Sequence, residues 1–236
     1  MQNQIYIISD VHGCFKSLKA LINQFPNKEN SKIVFVGDLI DRGPSSCEVV
    51  KFIMDNNYDC VLGNHEEMFL EFAPSKENED LSNSKHWLFK CGGEQTLKSY
   101  TCKDEYYKQY DFMKTLPLYL EYKDYKTADN RYLVVSHSAV AKVWDKRDSK
   151  DKDDIEEFKT HLLYSRYKNS NNKEIFNVFG HTIFSTPVLN EYSVAIDLGC
   201  YHEKDESKLP SPRLYALEFP SMKIFTQESL EKIRLK

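Results

Sequence analysis

None of the six cysteines, at 14, 47, 60, 91, 102 and 200, forms a C-x-x-C pair. That spacing excludes a paired-cysteine metal or redox motif, and 236 residues are too many to need disulfide staples. Reduced thiols in a cytosolic protein are expected, several of them in the core. Positive charge is not in excess either. The formal net charge is -4, which argues against a nucleic-acid binder that relies on phosphate contacts. It leaves anionic substrates open, because bound metal ions can invert the local field. No apolar run is long enough to span a bilayer, and Met1 is followed by Gln-Asn-Gln rather than a charged-then-apolar leader. The expectation is a cytoplasmic protein with no membrane partner. Without a Pro/Gly/Ser-rich linker, residues 1–236 read as a single domain. Arginine is scarce, six against twenty-six lysines, so each arginine near a motif carries information.

What the chain does have is a repeated pattern. Six short apolar runs each end in polar, metal-grade side chains. Ile5–Ser9 leads into Asp10-Val11-His12-Gly13. Lys32–Val36 leads into Gly37-Asp38-Leu39-Ile40-Asp41-Arg42-Gly43. Asp59–Leu62 leads into Gly63-Asn64-His65-Glu66. Tyr132–Ser136 leads into His137, Phe176–Phe179 into Gly180-His181-Thr182, and Ser193–Ile196 into Asp197-Leu198-Gly199. Runs of this kind read as buried strands. Ligand sites in open α/β sheets lie beyond the carboxyl ends of such strands, so the pattern gathers Asp, His, Asn and Arg at one sheet edge.

Between these runs the spacing predicts helices over Phe15–Phe25 (stopped by Pro26), from Ser45 or Ser46 as cap through Met54, and over Glu66–Phe72. Alternating strands and helices over residues 1–72 predict parallel pairing with right-handed crossovers. Residues 75–84 read as loop, and 85–115 as helical with a break at Gly92-Gly93. Leu118–Tyr125 and Arg131–Ser136 read as two strands around a turn. The mixed charges of residues 145–154 read as a solvated, mobile loop. Several short strands follow over residues 176–226.

Asp10, His12, Asp38, Asn64, His137 and His181 form an oxygen and nitrogen donor set without sulfur. Such donors suit manganese, iron or zinc in five- or six-coordinate geometry. Six ligands exceed the need of one catalytic metal. Two divalent ions sharing one carboxylate fit better, at the separation used to clamp a phosphoryl group. Asp38, central in the motif order, is the candidate bridge. Four of the seven histidines follow apolar strands in such clusters; His86, His161 and His202 do not, and read as ordinary polar residues.

These motifs, in this order, resemble the calcineurin-like metallophosphoesterases. Within them the chain is similar to PPP-type serine/threonine protein phosphatases of the compact bacterial and bacteriophage lambda branch. Trp87, Gly92-Gly93 and Thr96-Leu97-Lys98-Ser99-Tyr100 resemble the middle region of that branch, and Asp197-Leu198-Gly199-Cys200 one of its C-terminal motifs. The resemblance implies an α+β fold, α/β-like in its N-terminal half, with two packed mixed sheets flanked by helices. It implies one metal on Asp10, His12 and Asp38, and a second on Asp38, Asn64, His137 and His181, with manganese expected. It implies direct attack of a metal-bridging hydroxide on phosphoserine or phosphothreonine of a phosphoprotein or phosphopeptide. His65 would protonate the leaving oxygen, oriented by Asp41, and Arg42 and Arg166 would grip the phosphate.

Three positions depart from the family pattern. Ser9 stands for a usual Gly, Ser138-Ala139 for Ala-Gly, and Leu62 for the Arg common in protein phosphatases. Leu62 removes a phosphate clamp and is common in symmetrical diadenosine tetraphosphate hydrolases, the alternative reading. Those enzymes typically lack the Asp of Asp-Arg-Gly and read Gly-Asn-His-Asp, whereas this chain keeps Asp41 and Glu66. A noncatalytic binding module is a third class, disfavoured by the complete donor set and His65.

Overall fold

The computed structural model describes residues 4–209 and 211–231. Ten strands and six α-helices follow in the order β1 (Ile5–Ile8), α1 (Phe15–Ile22), β2 (Lys32–Phe35), α2 (Ser46–Asp55), β3 (Asp59–Cys60), α3 (Asn64–Phe72), α4 (Gly93–Ser99), α5 (Lys103–Met113), β4 (Tyr119–Lys126), β5 (Tyr132–Ser136), α6 (Lys152–Tyr164), β6 (Ile175–Phe179), β7 (Val188–Leu189), β8 (Ser193–Ala195), β9 (Arg213–Phe219) and β10 (Lys223–Glu228). They form two five-stranded mixed sheets, ordered β10-β9-β1-β2-β3 and β4-β5-β6-β8-β7. In the first sheet β1, β2 and β3 run parallel; in the second β5, β6 and β8 do. The six strands read from the sequence therefore supply three parallel carboxyl ends to each sheet.

Period-2 alternation separates the layers. Ile5 and Ile7 on β1, Val34 on β2, Leu133 and Val135 on β5 and Val178 on β6 fill the space between the sheets. Tyr6, Ile8, Ile33 and Phe35 face the other way, into the layer with Leu18, Val49, Ile53 and Phe69 from α1, α2 and α3. On the outer face of the second sheet, Val134 and Ile175 pack with Trp144, Phe158 and Leu162 around α6. Each buried aliphatic or phenyl side chain contributes roughly 1.5–3 kcal/mol. Sheet and helix burial thus carries the stability, and strand-end loops can hold costly conformations.

The charged segment 145–154 is the expected loop at 147–151, but both of its ends are helical. Trp144–Lys146 forms a 3₁₀ turn, and Asp151 caps α6, its Oδ1 accepting from the Asp153 and Asp154 amides at 2.9 and 3.1 Å. Lys146 reaches forward to Asp154 Oδ1 at 2.7 Å. The mixed charges are a helix start: a capping Asp and acids in the first turn satisfy the free amides and the positive end of the dipole. Two other boundaries shift. α3 begins at Asn64, not Glu66. Ser45 occupies the cap of α2 without a side-chain capping bond, and Ser46 turns toward Asp41. All six cysteines are free. No helix among the described residues is long and apolar enough to cross a membrane.

Candidate active site

Strand ends bring the polar side chains together. Asp10 and His12 follow β1, Asp38, Asp41 and Arg42 follow β2, and Asn64 and His65 open α3 just beyond β3. From the second sheet come His137, His181 and Asp197, after β5, β6 and β8. The sheets meet here directly: the His181 amide donates to Asp10 Oδ2 at 3.0 Å, and His137 Nδ1 donates to the Val36 carbonyl at 2.8 Å. The backbone departs from ordinary strand and helix geometry at this edge. Eight non-glycine residues among those described have positive φ, and five belong to the site: His12 (44°), Asp38 (49°), Asp41 (68°), Arg42 (66°) and His181 (66°). Such conformations are costly and gather where function requires a particular side-chain direction.

Two donor clusters share Asp38. Its Oδ2 lies 3.6 Å from His12 Nε2, and its Oδ1 lies 3.5 Å from His137 Nε2. Around the second oxygen, Asn64 Oδ1 sits 2.9 Å from both His137 Nε2 and His181 Nδ1, and the two ring nitrogens are 3.1 Å apart. A proton on His181 Nδ1 can serve its two contacts, but none remains for the third, His137 Nε2 against Asn64 Oδ1. His137 spends its proton on Val36, so Nε2 presents a lone pair to the Asn64 carbonyl oxygen. His12 likewise donates Nδ1–H to the Ile40 carbonyl at 2.9 Å and turns a bare Nε2 toward the Asp38 carboxylate. Acceptors converging on acceptors are the arrangement a cation resolves.

Charge points the same way. Asp10, Asp38, Asp41, Glu66 and Asp197 are all buried, with no more than 2% exposure, and Asp10 Oδ1 has no hydrogen-bond partner. Buried, uncompensated carboxylates are expensive. Burial, then the Asp197 and Asp38 carboxylates, push Asp10 well above the usual carboxylate range. Burial and Asp38 push Asp197 up to about 7. Burial would also raise Asp38, but the His137, His65, His12 and His181 imidazoles around it hold it below its ordinary value. Burial and neighbouring imidazoles depress His12 and His181 to about 3, and burial lowers His137. Those shifts favour the neutral ring, the form that ligates metal.

His65 is the exception. Burial would lower it, but Asp38 and Asp41 outweigh that and raise it. Its Nδ1 donates to Asp41 Oδ2 at 2.7 Å, while Nε2 lies 3.9 Å from Asp38 Oδ2. A ring fixed at Nδ1 by a carboxylate, with its other nitrogen at the donor clusters, is arranged to give a proton there.

Arg42 donates from one terminal nitrogen to the Lys90 carbonyl at 2.7 Å, and its guanidinium stands 5.5 Å from the Tyr201 ring centroid. Arg166 lies just past α6, exposed, close enough for its charge to act on His181. Leu62 is partly buried, and its amide donates to the Pro117 carbonyl at 2.8 Å. Ser9, at the usual Gly position, accepts the Tyr215 amide on its hydroxyl at 3.1 Å and so extends the pairing of β1 with β9. Ser138 donates its amide to the Leu162 carbonyl at 2.9 Å, beside His137.

Glu66 has a part that the sequence reading did not assign. Its two carboxylate oxygens accept the Asp38 amide at 2.8 Å, Gly63 at 3.0 Å, Leu39 at 2.8 Å and Ile40 at 3.3 Å. One side chain thereby ties the loop after β2 to the start of α3. Burial and Asp38 push its carboxyl up to about 8, yet every partner is an N–H donor, the setting of an ionised carboxylate. Asp197 was visible as a strand-end residue without a role; it adds a third buried carboxylate beside Asp10 and Asp38. Its position after an apolar run and its place in the Asp197-Leu198-Gly199-Cys200 motif signalled it.

Comparisons with known proteins agree with this geometry. Residues 4–210 match the model of the calcineurin-like phosphoesterase family. A symmetrical bis(5'-nucleosyl)-tetraphosphatase from Buchnera aphidicola is 38% identical over 88 residues, covering 36% of this chain and 32% of that protein, so the match spans about a third of that relative. An asymmetrical bis(5'-nucleosyl)-tetraphosphatase from Oceanobacillus iheyensis is 27% identical over 243 positions, covering 93% of this chain and 92% of that one. Among solved structures, a metallophosphoesterase from Sphaerobacter thermophilus superposes with a TM-score of 0.58 at 17% identity, covering 97% of this chain and 88% of that one, which shows a shared fold. With the family model spanning nearly the whole chain over this donor set, the protein belongs to the calcineurin-like phosphoesterase family.

Proposed function

We propose that this metallophosphoesterase hydrolyses bis(5'-nucleosyl) tetraphosphates, with Asp10, His12 and Asp38 holding one divalent cation and Asp38, Asn64, His137 and His181 a second. Manganese is the expected ion, iron or zinc the alternatives. Bound divalent cations supply a nucleophile at neutral pH and neutralise phosphoryl charge. The chain's own groups do the rest. Arg42 and Arg166 orient the phosphates. His65, oriented by Asp41, delivers a proton to the departing oxygen as the bond to phosphorus breaks.

The observation that carries the dinucleotide reading is the match, over more than nine-tenths of both chains, to an asymmetrical bis(5'-nucleosyl)-tetraphosphatase. Leu62 supports it: an apolar side chain stands where a protein phosphatase would add a guanidinium. A second reading, hydrolysis of phosphoserine or phosphothreonine in a protein, rests on the intact 2.7 Å bond between His65 and Asp41. An alkoxide leaves poorly and depends on that proton; a nucleotide phosphate is a better leaving group and gains less from it.

A parallel assay of manganese-loaded protein on diadenosine tetraphosphate and on a phosphothreonine peptide separates the two. The expected outcome is faster nucleotide cleavage, with the products reporting its symmetry: two molecules of adenosine diphosphate, or adenosine monophosphate with triphosphate. Preferential release of phosphate from the peptide would hand the site to the second reading.

A further inference from the structure

The segment between Ser84 and Ser99 lies in none of the motifs that carry the donor set, yet it grips Asp41 from two sides. Trp87 opens a π-helical turn, Trp87–Cys91, and its indole Nε1–H donates to Asp41 Oδ2 at 3.0 Å, the same oxygen that accepts His65 Nδ1–H. Thr96, on α4, holds the other end. Its hydroxyl donates to Asp41 Oδ1 at 2.6 Å and accepts the Asp41 amide at 2.8 Å. Ser46 completes the set, its hydroxyl 3.2 Å from the Asp41 amide and 3.1 Å from Thr96 Oγ1. Asp41, Trp87, Thr96 and Ser46 are all buried.

The two glycines between Trp87 and Thr96 make this reach possible. A Cβ on Gly93 would collide with the Trp87 indole, and one on Gly92, at φ +93°, with the Arg42 backbone. The chain therefore lies flat against both the indole and the loop that carries Asp41 and Arg42. The same turn supplies the Lys90 carbonyl that takes Arg42.

We infer that Trp87 and Thr96 are positioning residues for proton delivery: both hold the Asp41 carboxylate, Thr96 also holds its left-handed backbone, and together they fix the direction of His65 Nε2. The inference rests on the reading of His65 as the proton donor. Thr96 fixes both the backbone and the side chain of Asp41 with one hydroxyl. Without it, Oδ1 loses a buried donor and the carboxylate can rotate away from His65. Outer hydrogen-bond partners of this kind typically matter by 10–100-fold.

Leaving-group dependence tests it, because a merely structural part would lower all substrates alike. Manganese-loaded wild type, Thr96→Val, Thr96→Ser, Trp87→Phe and His65→Asn are assayed on 2,4-dinitrophenyl, p-nitrophenyl and phenyl phosphate, with bound manganese measured for each. Thr96→Val and Trp87→Phe should lose about tenfold or more in kcat on phenyl phosphate and little on the dinitrophenyl ester, with manganese retained. Thr96→Ser, which keeps the hydroxyl, should restore the wild-type pattern. The double variant of Thr96→Val with His65→Asn should be no slower than His65→Asn alone, since the two act as one unit. A uniform loss across the three esters in Thr96→Val and Trp87→Phe, or none, overturns the inference while a steepened series in His65→Asn leaves the donor reading standing. A flat series in His65→Asn itself overturns the donor reading and this inference with it. Should Thr96→Val not fold, Trp87→Phe carries the same comparison.

Discussion

The two sheets build their halves of the site in different ways. The first contributes Asp10, His12, Asp38, Asp41 and Arg42 from loops after β1 and β2, and Asn64 and His65 from the start of α3; four of these seven residues have positive φ. Those loops are held by side chains: Glu66 takes four amides, and Trp87, Thr96 and Ser46 surround Asp41. The second sheet contributes His137 one residue beyond β5 and His181 two beyond β6. Its hold leans more on the backbone, the Gly180 amide donating to the His137 carbonyl at 2.9 Å, with side-chain support from Asp10, which accepts the His181 amide, and from buried Asn177, which bonds Val134, Ser136 and Val140. A side directed by buried carboxylates concentrates chemistry densely but depends on a few side chains. A side carried on strand ends is sparser and inherits the rigidity of the sheet.

The sharpest challenge is Asp38→Asn, the residue facing both halves. Phosphoester hydrolysis should fall by about three decades or more, roughly 4 kcal/mol of barrier, and bound manganese should drop below the wild-type content. Full metal content with near-normal turnover would break the idea of a shared carboxylate. Next comes a matched pair. Glu66→Gln leaves the first half's amides with a poorer acceptor; it should destabilise the protein by about 2–3 kcal/mol in urea titrations and weaken metal binding 10–100-fold. His181→Ala should weaken metal binding while leaving the urea midpoint nearly unchanged. Equal loss of stability in both would erase the contrast between side-chain and backbone support. The smallest effect belongs to Asp151→Ala on the far side of the second sheet: about 1 kcal/mol from the lost cap of α6, read in the same titration, with kcat unaltered. A change in kcat would mean that α6 communicates with the site.

Legibility followed locality. The motifs Asp10–Gly13, Gly37–Gly43 and Gly63–Glu66 each span a few residues, and a buried strand reads directly as an apolar run, so their convergence at one sheet edge could be argued from the chain. Residues 151–154 misled because charge density looks the same in a solvated loop and at a capped helix start. Ser46 looked like a cap because a serine before an apolar-periodic run usually is one. Glu66 was noticed only as a marker between two branches of the family. Nothing in one sequence shows that its carboxylate meets amides twenty-six to twenty-eight positions away.

By itself the sequence determined which side chains stand at strand ends, because hydrophobic periodicity and turn chemistry act over neighbouring residues. Only the tertiary structure decided which oxygen of Asp38 faces which histidines, and that Trp87 and Thr96 close on Asp41 across forty-six and fifty-five positions. Those relations are set by how two sheets and a π-helical turn pack. Packing depends on the whole apolar complement of the chain, and no local pattern encodes it.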